Sequence, residues 1–536
     1  MPASLTIPAL LEEQAMRFGE REAVVAGASR LTHAELRREA RHAARGLRAL
    51  GVRRGDHVAI LMGNRLEWML AFFALQQLGA TVVALNTWAT PREMQYALAH
   101  SDVSCLVAVD RFRRNDYRAV LAEMRSAAGV LPHLRRTVWV AAGDDSQIAT
   151  AADDEAFTWD EMLALGQDTP DGDLDAAAGE LGPDDVAMLL YTSGSTAAPK
   201  GILLQHGHWI RNGFHIGERQ KVTEHDRLWL AVSLFWSFGS VNAMANLFGH
   251  GGCIVLQEQF EPGEALALIE RERCSILYAT PNMVKALAEH PERAQRDLSS
   301  LRSGATIGTP EQVMAAMRLG AAYICNVYGL SETYGNCCVI DADEPQDVRL
   351  QSVGPPLPGV QLRICHLETG AAVAAGEVGE IRVQGPLFCA YYKDEEKTRD
   401  AFDADGFFRT GDLGQVDDQG RLYYRGRLKE MVKSGGINIT PMEVEEVLMR
   451  HPAVLAAYVI GVPDAVLDEM LAAFIVARPG AVVSPAELAV FCKRELSAYK
   501  VPKLFRFVTE GELPLTTTGK LQKVRLKDLL QEGTSP

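Results

Sequence analysis

Residues 189–204 read LLYTSGSTAAPKGILL, a loop rich in hydroxyl groups and glycine between two apolar runs. The apolar runs are typical of buried strands, so the stretch predicts a strand–loop–strand or strand–loop–helix unit. Backbone N–H groups in such a loop form an anion-binding nest, and Lys200 adds a full positive charge. These residues alone indicate a phosphate loop, with a polar surface turn as the alternative.

The two commonest nucleotide-binding patterns do not match this loop. A Walker A loop needs a serine or threonine directly after its lysine, whereas Gly201 follows Lys200 here. No convincing glycine fingerprint of a dinucleotide-binding fold precedes a helix elsewhere in the chain. The loop therefore has to be identified from what surrounds it.

Outward from the loop, short apolar runs alternate with helical patterns. HVAILMG (57–63) precedes RLEWMLAFFALQQLG (65–79), and TVVALN (81–86) follows. This rhythm predicts an α/β fold with largely parallel sheets. The uncharged stretches 69–91 and 228–256 are long enough to span a membrane. Polar residues and glycines interrupt both, so we expect buried strands and helices and no membrane span.

Bulk composition narrows the class of protein. A chain of 536 residues is too long for one compact core. Its net charge of −15 argues against a nucleic-acid partner and against an anionic membrane surface. Nine scattered cysteines without a C-x-x-C pair fit reduced thiols, and the first residues lack a signal-peptide pattern. We therefore expect a cytoplasmic protein.

The sequence changes character near residue 430. A basic, turn-like run leads to a helix start at Pro441, for which Thr440 is the predicted N-cap. Strand patterns in AAYVIGVPD and MLAAFIVARPG and a helix pattern in SPAELAVFCKREL follow. This indicates a small α+β domain, and we predict a division into residues 1–428 and 429–536.

Four further motifs accompany the loop, and the set resembles the adenylate-forming superfamily in content and in order. They are NVYGLSETYG (326–335), FRTGDLG (408–414), YYRGRLKEMVKSGGINITPMEVE (423–445) and PLTTTGKLQK (514–523). The resemblance covers essentially the whole chain and is strongest to acyl- and aryl-CoA synthetases. It implies a large N-terminal domain of several subdomains with parallel sheets, followed by a small mobile α+β domain.

The resemblance also implies a two-step reaction with ATP, Mg²⁺ and coenzyme A. A carboxylate attacks the α-phosphorus of ATP to give an acyl-adenylate and pyrophosphate, and a thiol then displaces AMP. The residues implied for the β- and γ-phosphates are Thr192, Ser193, Gly194, Ser195, Thr196 and Lys200. Ala197 stands where the family usually has glycine, which restricts the loop's backbone.

The same resemblance assigns the rest of the nucleotide site. Ser331 would donate to the α-phosphate, Glu332 would bind Mg²⁺, and Tyr328 would stack on adenine. Asp412 would accept the ribose hydroxyls, with Arg427 in support. The motifs add Gly304, Ala305 and Thr306 beside the base, and Asn326 and Gly329 around Tyr328.

The C-terminal motifs are implied to serve the two half-reactions in turn. Lys520 would bridge the acyl carboxylate and the α-phosphate, and Lys429 occupies the hinge position. Gly435 and Gly436 would let the backbone approach pantetheine closely.

The acid pocket is expected among residues 233–240, 303–306 and 334–336. The residues singled out are Phe235, Trp236, Gly239, Ser240, Ser303, Tyr334 and Gly335. No aspartate is present there to hold an α-amine, so an amino acid is disfavoured and an apolar acyl or aryl acid is expected.

Three other functions stay open at this point. The acyl group could be loaded onto the pantetheine of a carrier protein instead of CoA. An oxidative luciferase-like enzyme would differ by its oxygen uptake. A non-catalytic nucleotide-binding relative is disfavoured, because Glu332, Asp412 and Lys520 are all present. Whether the chain forms a homodimer is also open.

Overall fold

The computed structural model describes residues 1–126, 129–143, 155–192, 199–434, 437–464, 467–515 and 521–531. The backbone forms two compact units, Met1–Gln361 with Gln384–Phe408, and Leu362–Val383 with Arg409–Pro536. Compactness tells which residues pack together, not which rotate during a reaction. The predicted division between residues 428 and 429 therefore stays a prediction.

The first unit contains the four longest α-helices of the described chain. Its α-helices are α1 Ile7–Phe18, α2 His33–Ala49, α3 Leu66–Gln77, α4 Pro91–His100, α5 Tyr117–Ser126, α6 Trp159–Leu165, α7 Asp171–Gly179, α8 His206–Gln220, α9 Met244–His250, α10 Pro262–Glu272, α11 Pro281–Glu289, α12 Pro310–Leu319, α13 Gln346–Gln351 and α14 Glu395–Asp400. Several begin with a reciprocal cap: Thr90 accepts from the Glu93 N–H, and the Glu93 carboxylate accepts from the Thr90 N–H. These caps satisfy backbone donors that the first helical turn leaves unpaired.

The strands of the first unit are short and mostly buried. They are β1 Glu22–Ala26, β2 Ser29–Thr32, β3 His57–Leu61, β4 Thr81–Ala84, β5 Cys105–Val109, β6 Arg111–Phe112, β7 Asn115–Asp116, β8 Arg136–Val140, β9 Ala156–Thr158, β10 Val186–Thr192, β11 Lys200–Gln205, β12 Arg227–Leu230, β13 Cys253–Leu256, β14 Ile276–Tyr278, β15 Ser303–Thr306, β16 Cys325–Tyr328 and β17 Cys338–Val339.

Two large sheets carry these strands except β6 and β7, which form an antiparallel pair of their own. One has the order β11-β10-β4-β3-β5-β8-β9, and the other the order β17-β16-β15-β14-β12-β13-β1-β2. Neighbouring strands run parallel except for the β10–β11, β16–β17 and β1–β2 pairs. The α/β fold with parallel sheets is confirmed, and LLYTSGSTAAPKGILL forms the strand–loop–strand alternative.

The two long uncharged stretches are core elements of the first unit. Residues 69–91 contain most of α3 and all of β4, and residues 228–256 hold most of β12, a π-helical segment Ser237–Ala243, α9 and β13. Every residue from Met69 to Gln77 is buried, which explains why this helix lacks a polar face. Within its described part, the chain has no helix whose length and hydropathy would let it span a bilayer.

The second unit is a smaller α+β assembly. It comprises β18 Gln361–Cys365, β19 Gly379–Gln384, β20 Phe408–Val416, β21 Leu422–Arg427, β22 Val432–Ser434, β23 Ile437–Ile439, β24 Val454–Asp464, β25 Asp468–Ala477 and β26 Leu504–Phe507, with helices α15 Pro441–Met449, α16 Pro485–Glu495 and α17 Leu526–Gln531. The predicted strands and helices after residue 430 are confirmed. Thr440 holds the N-cap position of α15, but its side chain makes no capping bond, which corrects that detail.

Gly304, on β15, provides a test of how tightly the eight-stranded sheet is packed. Its φ is +135°, and a Cβ there would lie 2.0 Å from the Leu277 carbonyl oxygen on β14. We expect Gly304→Ala to lower the free energy of unfolding by at least about 2 kcal/mol, because strain and overlap add. Chemical denaturation would measure this loss.

Gly249 supplies the matched control. It is also buried, lies in α9, and has open space where a Cβ would go. Gly249→Ala should be neutral or stabilising by about 0.4–1 kcal/mol. Equal losses for the two variants would contradict the role of close packing at Gly304.

Candidate active site

Several loops that carry predicted site residues leave the eight-stranded sheet at one edge. Strands β12, β14, β15 and β16 are parallel, so their carboxyl ends point the same way. The chain leaves those ends at Leu230, Tyr278, Thr306 and Tyr328. Ligands of open α/β sheets bind in the crevice outside such ends.

The phosphate loop is the connection between β10 and β11. Thr192 and Lys200 are antiparallel partners at its two ends. Ser193, Gly194, Ser195 and Thr196 lie outside the described residues, so their implied roles stay predictions.

Helix α4 holds the flanks of this loop. The Tyr96 hydroxyl donates to the Pro199 carbonyl at 3.3 Å, and the Tyr191 hydroxyl lies 2.8 Å from His100 Nδ1. Burial lowers the pKa of His100 below its ordinary value, which favours a neutral ring near pH 7. These contacts hold Pro199 and Tyr191, on either side of the loop. A neutral His100 adds no positive charge to that of Lys200.

Glu332 lies directly beyond β16, in a short 3₁₀ helix Ser331–Thr333. Its side chain is buried, and Oε1 accepts a hydrogen bond of 2.9 Å from the Tyr391 hydroxyl. Its carbonyl accepts from the Phe388 N–H at 2.8 Å. No lysine or arginine within the described ranges forms an ion pair with this carboxylate.

A buried carboxylate that forms no ion pair with a lysine or arginine in the described part of the chain fits the magnesium role. Mg²⁺ prefers oxygen ligands and is usually held by one or two carboxylates together with substrate phosphates and water. The described residues contain no cluster of three or more histidine, cysteine, aspartate or glutamate side chains that could hold a metal. Glu332 therefore fits a metal ion that binds with ATP rather than in a cage of protein ligands.

Ser331 has a neighbour that sequence reasoning did not single out. Its hydroxyl lies 3.1 Å from that of Ser237, the first residue of the π-helical segment. The predicted α-phosphate donor and the predicted acid-pocket segment are thus in contact.

The predicted adenine residues form one wall of two paired strands. Ala305 and Thr306 on β15 pair with Cys325 and Asn326 on β16, close to Tyr328. Gly329 follows, and a Cβ there would lie 2.2 Å from the Gly335 carbonyl oxygen. The strands are adjacent as expected, and the contact with a base stays a prediction.

The predicted ribose pair lies in the second unit. Asp412 on β20 is the cross-strand partner of Arg427 on β21, and Arg427 Nε lies 3.0 Å from Asp412 Oδ1. Asp412 is almost fully buried. The basic run therefore supplies a partner for this carboxylate, and the ribose roles of Asp412 and Arg427 stay predictions.

Three aromatic rings meet at the predicted acid pocket. Trp88, in the loop after β4, lies edge-to-face with Phe235 and Trp236 at centroid distances of 5.4 and 4.8 Å. Phe235 is buried and Trp236 is half-buried. Gly239 and Ser240 follow in the π-helical segment, where the Ser240 hydroxyl donates to the Trp236 carbonyl at 3.1 Å.

Other side chains predicted for the acid pocket already make internal contacts. The Tyr334 hydroxyl accepts from the Gln205 N–H at 2.6 Å, and the Ser303 hydroxyl donates to the Gln220 carbonyl at 2.9 Å. Ser303 also begins β15, at the edge opposite the carboxyl ends. Gly335 has a φ of +85° and packs against Asn242. Pocket roles for these residues remain predictions.

The C-terminal motif residues are described only in part. Lys429 lies in a 3₁₀ helix Leu428–Glu430, whereas Gly435, Gly436 and Lys520 lie outside the described residues. On either side of segment 516–520, Leu515 and Leu521 form an antiparallel bridge.

Lys523, just beyond Lys520, is a half-buried lysine with two acidic partners. Its Nζ lies 2.7 Å from Glu445 and 3.4 Å from Glu430. Burial raises the pKa of Glu445 against the opposing effect of Lys523. Lys523, the last residue of the PLTTTGKLQK motif, thereby contacts α15 through Glu445. It also contacts Glu430, the residue after the predicted hinge at Lys429.

Sequence reasoning missed Tyr391 and Trp88 for a common reason. CAYYKDEEKT (389–398) and NTWAT (86–90) follow no helical or strand period and no nucleotide motif. Tyr391 lies 59 residues after its partner Glu332. Trp88 lies 148 residues before its partner Trp236 (236 − 88). The only usable signal was the presence of aromatic residues in polar loops.

Comparison with known proteins identifies the family of the chain. The family model described as AMP-binding enzyme matches residues 11–392, and that described as AMP-binding enzyme C-terminal domain matches residues 443–520. A feruloyl-CoA synthase of Amycolatopsis sp is 35% identical over 505 residues, covering 94% of each chain. The acyl-CoA ligase SID4 of Ajellomyces capsulatus is 34% identical, covering 98% of this chain and 91% of the relative.

A solved structure gives the same result for the fold. The crystal structure of the anthranilate CoA ligase AuaEII in complex with anthranoyl-AMP superposes with a TM-score of 0.85. It is 27% identical and covers 99% of this chain and 98% of its own. The chain therefore belongs to the AMP-binding enzyme family, in its branch of AMP-forming acyl- and aryl-CoA synthetases, which use ATP, Mg²⁺ and coenzyme A.

Proposed function

We propose that the protein activates an apolar acyl or aryl acid by ATP and transfers it to CoA, with Glu332 as the Mg²⁺ ligand. The observation that carries this proposal is the buried Glu332 carboxylate, at the edge where β15 and β16 end, which no lysine or arginine of the described residues neutralises. When bound, Mg²⁺ neutralises charge on the phosphate oxygens. The chain's own residues then have to bind, orient and separate the reactants.

We assign the first half-reaction to groups around β10, β11 and β16. Lys200, at the end of the loop, places a positive charge beside the departing pyrophosphate, and the Thr192 hydroxyl adds a donor. The Ser331 hydroxyl donates to the α-phosphate while Ser237 holds it in place. Charge develops on oxygens in this step, so aimed donors and cations lower the barrier.

We assign the second half-reaction to a rearranged C-terminal domain. In this proposal the domain from residue 429 onward rotates about Lys429, removing Lys520 and presenting Gly435 and Gly436 to pantetheine. Lys523 attaches the lysine motif to α15, so the motif and α15 would move together.

The acid is proposed to be apolar because aromatic rings and uncharged side chains follow β12. Residues 231–249 carry no charged side chain, and Trp88 closes against Phe235 and Trp236. Burial of apolar acid surface against rings contributes roughly 25 cal/mol per Å². A charged or zwitterionic tail would lose its hydration there without a partner.

Free CoA is the favoured acceptor, and a carrier-protein pantetheine is the second candidate. The relatives named above are CoA ligases and synthases, which supports the first. A cytoplasmic location is proposed because all nine cysteines are unpaired thiols, eight of them buried. A homodimer remains a prediction, which sedimentation of the purified protein would test.

Pyrophosphate release with ATP and Mg²⁺ over a panel of acids tests the function. The panel spans benzoates and cinnamates, bulky alicyclic acids and fatty acids of increasing length, each with and without CoA. We expect release with one class of apolar acid, and stimulation by CoA. Release that responds only to a carrier protein would favour the second candidate, and release with amino acids alone would contradict the proposal.

Trp236 tests the acid pocket. Trp236→Ala should raise kcat/KM for bulkier or longer acids relative to the preferred one by about tenfold, because it removes a ring from the wall. The KM for ATP should stay unchanged and serves as the internal control. A uniform loss with every acid would contradict a wall position for this ring.

Lys520 tests the separation of the half-reactions. Lys520→Ala should slow adenylation by roughly 10²–10³-fold, because it removes a cation aimed at the transition state. Thioester formation from preformed acyl-adenylate should be spared. Lys527→Ala, an exposed lysine seven positions further on, is the control. Equal loss of both half-reactions in Lys520→Ala would contradict the assignment of Lys520 to adenylation.

A further inference from the structure

Segment 388–392 joins two parts of the site that the sequence keeps far apart. The Leu203 N–H donates to the Ala390 carbonyl, and the Tyr392 N–H donates to the Gly201 carbonyl. Tyr391 is the antiparallel bridge partner of Ile202 on β11. On the other side, the Phe388 N–H donates to the Glu332 carbonyl. The segment therefore connects the strand after the phosphate loop to the proposed metal ligand.

Tyr391 contacts both functional groups with different parts of one side chain. Its hydroxyl donates to Glu332 Oε1 at 2.9 Å. Its ring faces the Lys200 ammonium, which lies 4.6 Å from the ring centroid. Such a cation–π contact restrains the ammonium without neutralising it.

The side chain is also held rigidly. It is only 5% exposed, and the Phe388 ring packs on it at a centroid distance of 4.7 Å. The hydroxyl is therefore held in place as a hydrogen-bond donor to the Glu332 carboxylate.

The contact with Glu332 leaves the metal role available. Among the described residues, one hydroxyl donor, that of Tyr391, contacts Oε1, and a hydroxyl brings no positive charge to the carboxylate. Partners of this kind orient ligating carboxylates in metal sites, and their loss typically reduces metal affinity or activity by about 10–100-fold. A cationic partner would instead compete with the metal for the same charge.

We propose that Tyr391 is a positioning residue that orients the Glu332 carboxylate toward Mg²⁺ and holds the Lys200 ammonium beside the phosphates. The inference rests on the proposed function of Glu332 and Lys200. It adds that one side chain couples the metal ligand to the phosphate loop, so that the two charges are placed together.

The hydroxyl and the ring can be removed separately. Tyr391→Phe removes the hydrogen bond to Glu332 and keeps the ring under Lys200, whereas Tyr391→Leu removes both contacts. Tyr392→Phe is the matched control, because the adjacent tyrosine also donates to a carboxylate, Asp102, at 2.8 Å. All three are made in the full chain.

The measurement is binding of α,β-methylene-ATP by calorimetry, in EDTA and over a series of Mg²⁺ concentrations. This analogue cannot be cleaved between its α- and β-phosphates, so binding is read without catalysis. The melting temperature of each variant is recorded alongside. Acid-dependent pyrophosphate release by the wild type establishes that the proposed reaction takes place.

We expect Tyr391→Phe to raise the half-saturating Mg²⁺ concentration about tenfold and to leave analogue binding in EDTA unchanged. Tyr391→Leu should raise both the Mg²⁺ requirement and the dissociation constant in EDTA. Tyr392→Phe should match the wild type in both measurements.

Two results would overturn the positioning role while the proposed function stands. One is an unchanged Mg²⁺ requirement in Tyr391→Phe. The other is an equal loss of analogue binding with and without Mg²⁺, which general destabilisation would produce. If the wild type itself releases no pyrophosphate and binds the analogue without any Mg²⁺ dependence, the proposed function and the positioning role both fail.

Discussion

Backbone pairing between segment 388–392 and β11 is the constraint on which the geometry around Glu332 depends. Hydrogen bonds from Leu203 and Tyr392 fix the register of the segment against the strand that leaves the phosphate loop. Because side chains alternate along extended backbone, a shift by one residue would turn Tyr391 away from Glu332 and Lys200. One register therefore sets the positions of the proposed metal ligand, Glu332, and of the proposed phosphate-binding cation, Lys200.

The parallel strands of the eight-stranded sheet position the loops that carry Ser237 and Ser331. Strands β12, β14, β15 and β16 leave the sheet at one edge, so the loops that follow them converge there whatever their distance in sequence. The contact between Ser237 and Ser331 is a direct consequence. It joins the loop after β12, where the acid is proposed to bind, to the loop after β16, where the phosphate is proposed to bind.

The net charge of the chain has the same sign as the charges of its proposed substrates. The chain carries a net charge of −15, yet its proposed reaction requires binding of ATP, pyrophosphate and CoA, which are all anions. Acidic surface far from the site has little influence at physiological ionic strength, because exposed charges are screened within about 8 Å. Local cations decide the outcome, which is why the placement of Lys200 over the Tyr391 ring matters.

The sequence by itself determined the fold class, the family and most of the candidate residues. Apolar runs and helical periods depend on local residue order, and motifs such as NVYGLSETYG carry their chemistry within a few neighbouring positions. Tertiary structure alone decided which side chains meet. Tyr391 meets Glu332, Trp88 meets Trp236, and Lys523 meets Glu445 across long stretches of chain. Conversely, Ser303 and Tyr334 proved to be engaged by Gln220 and Gln205. Such pairings follow from strand order and register, which no local pattern contains, because they arise only when distant segments pack against one another.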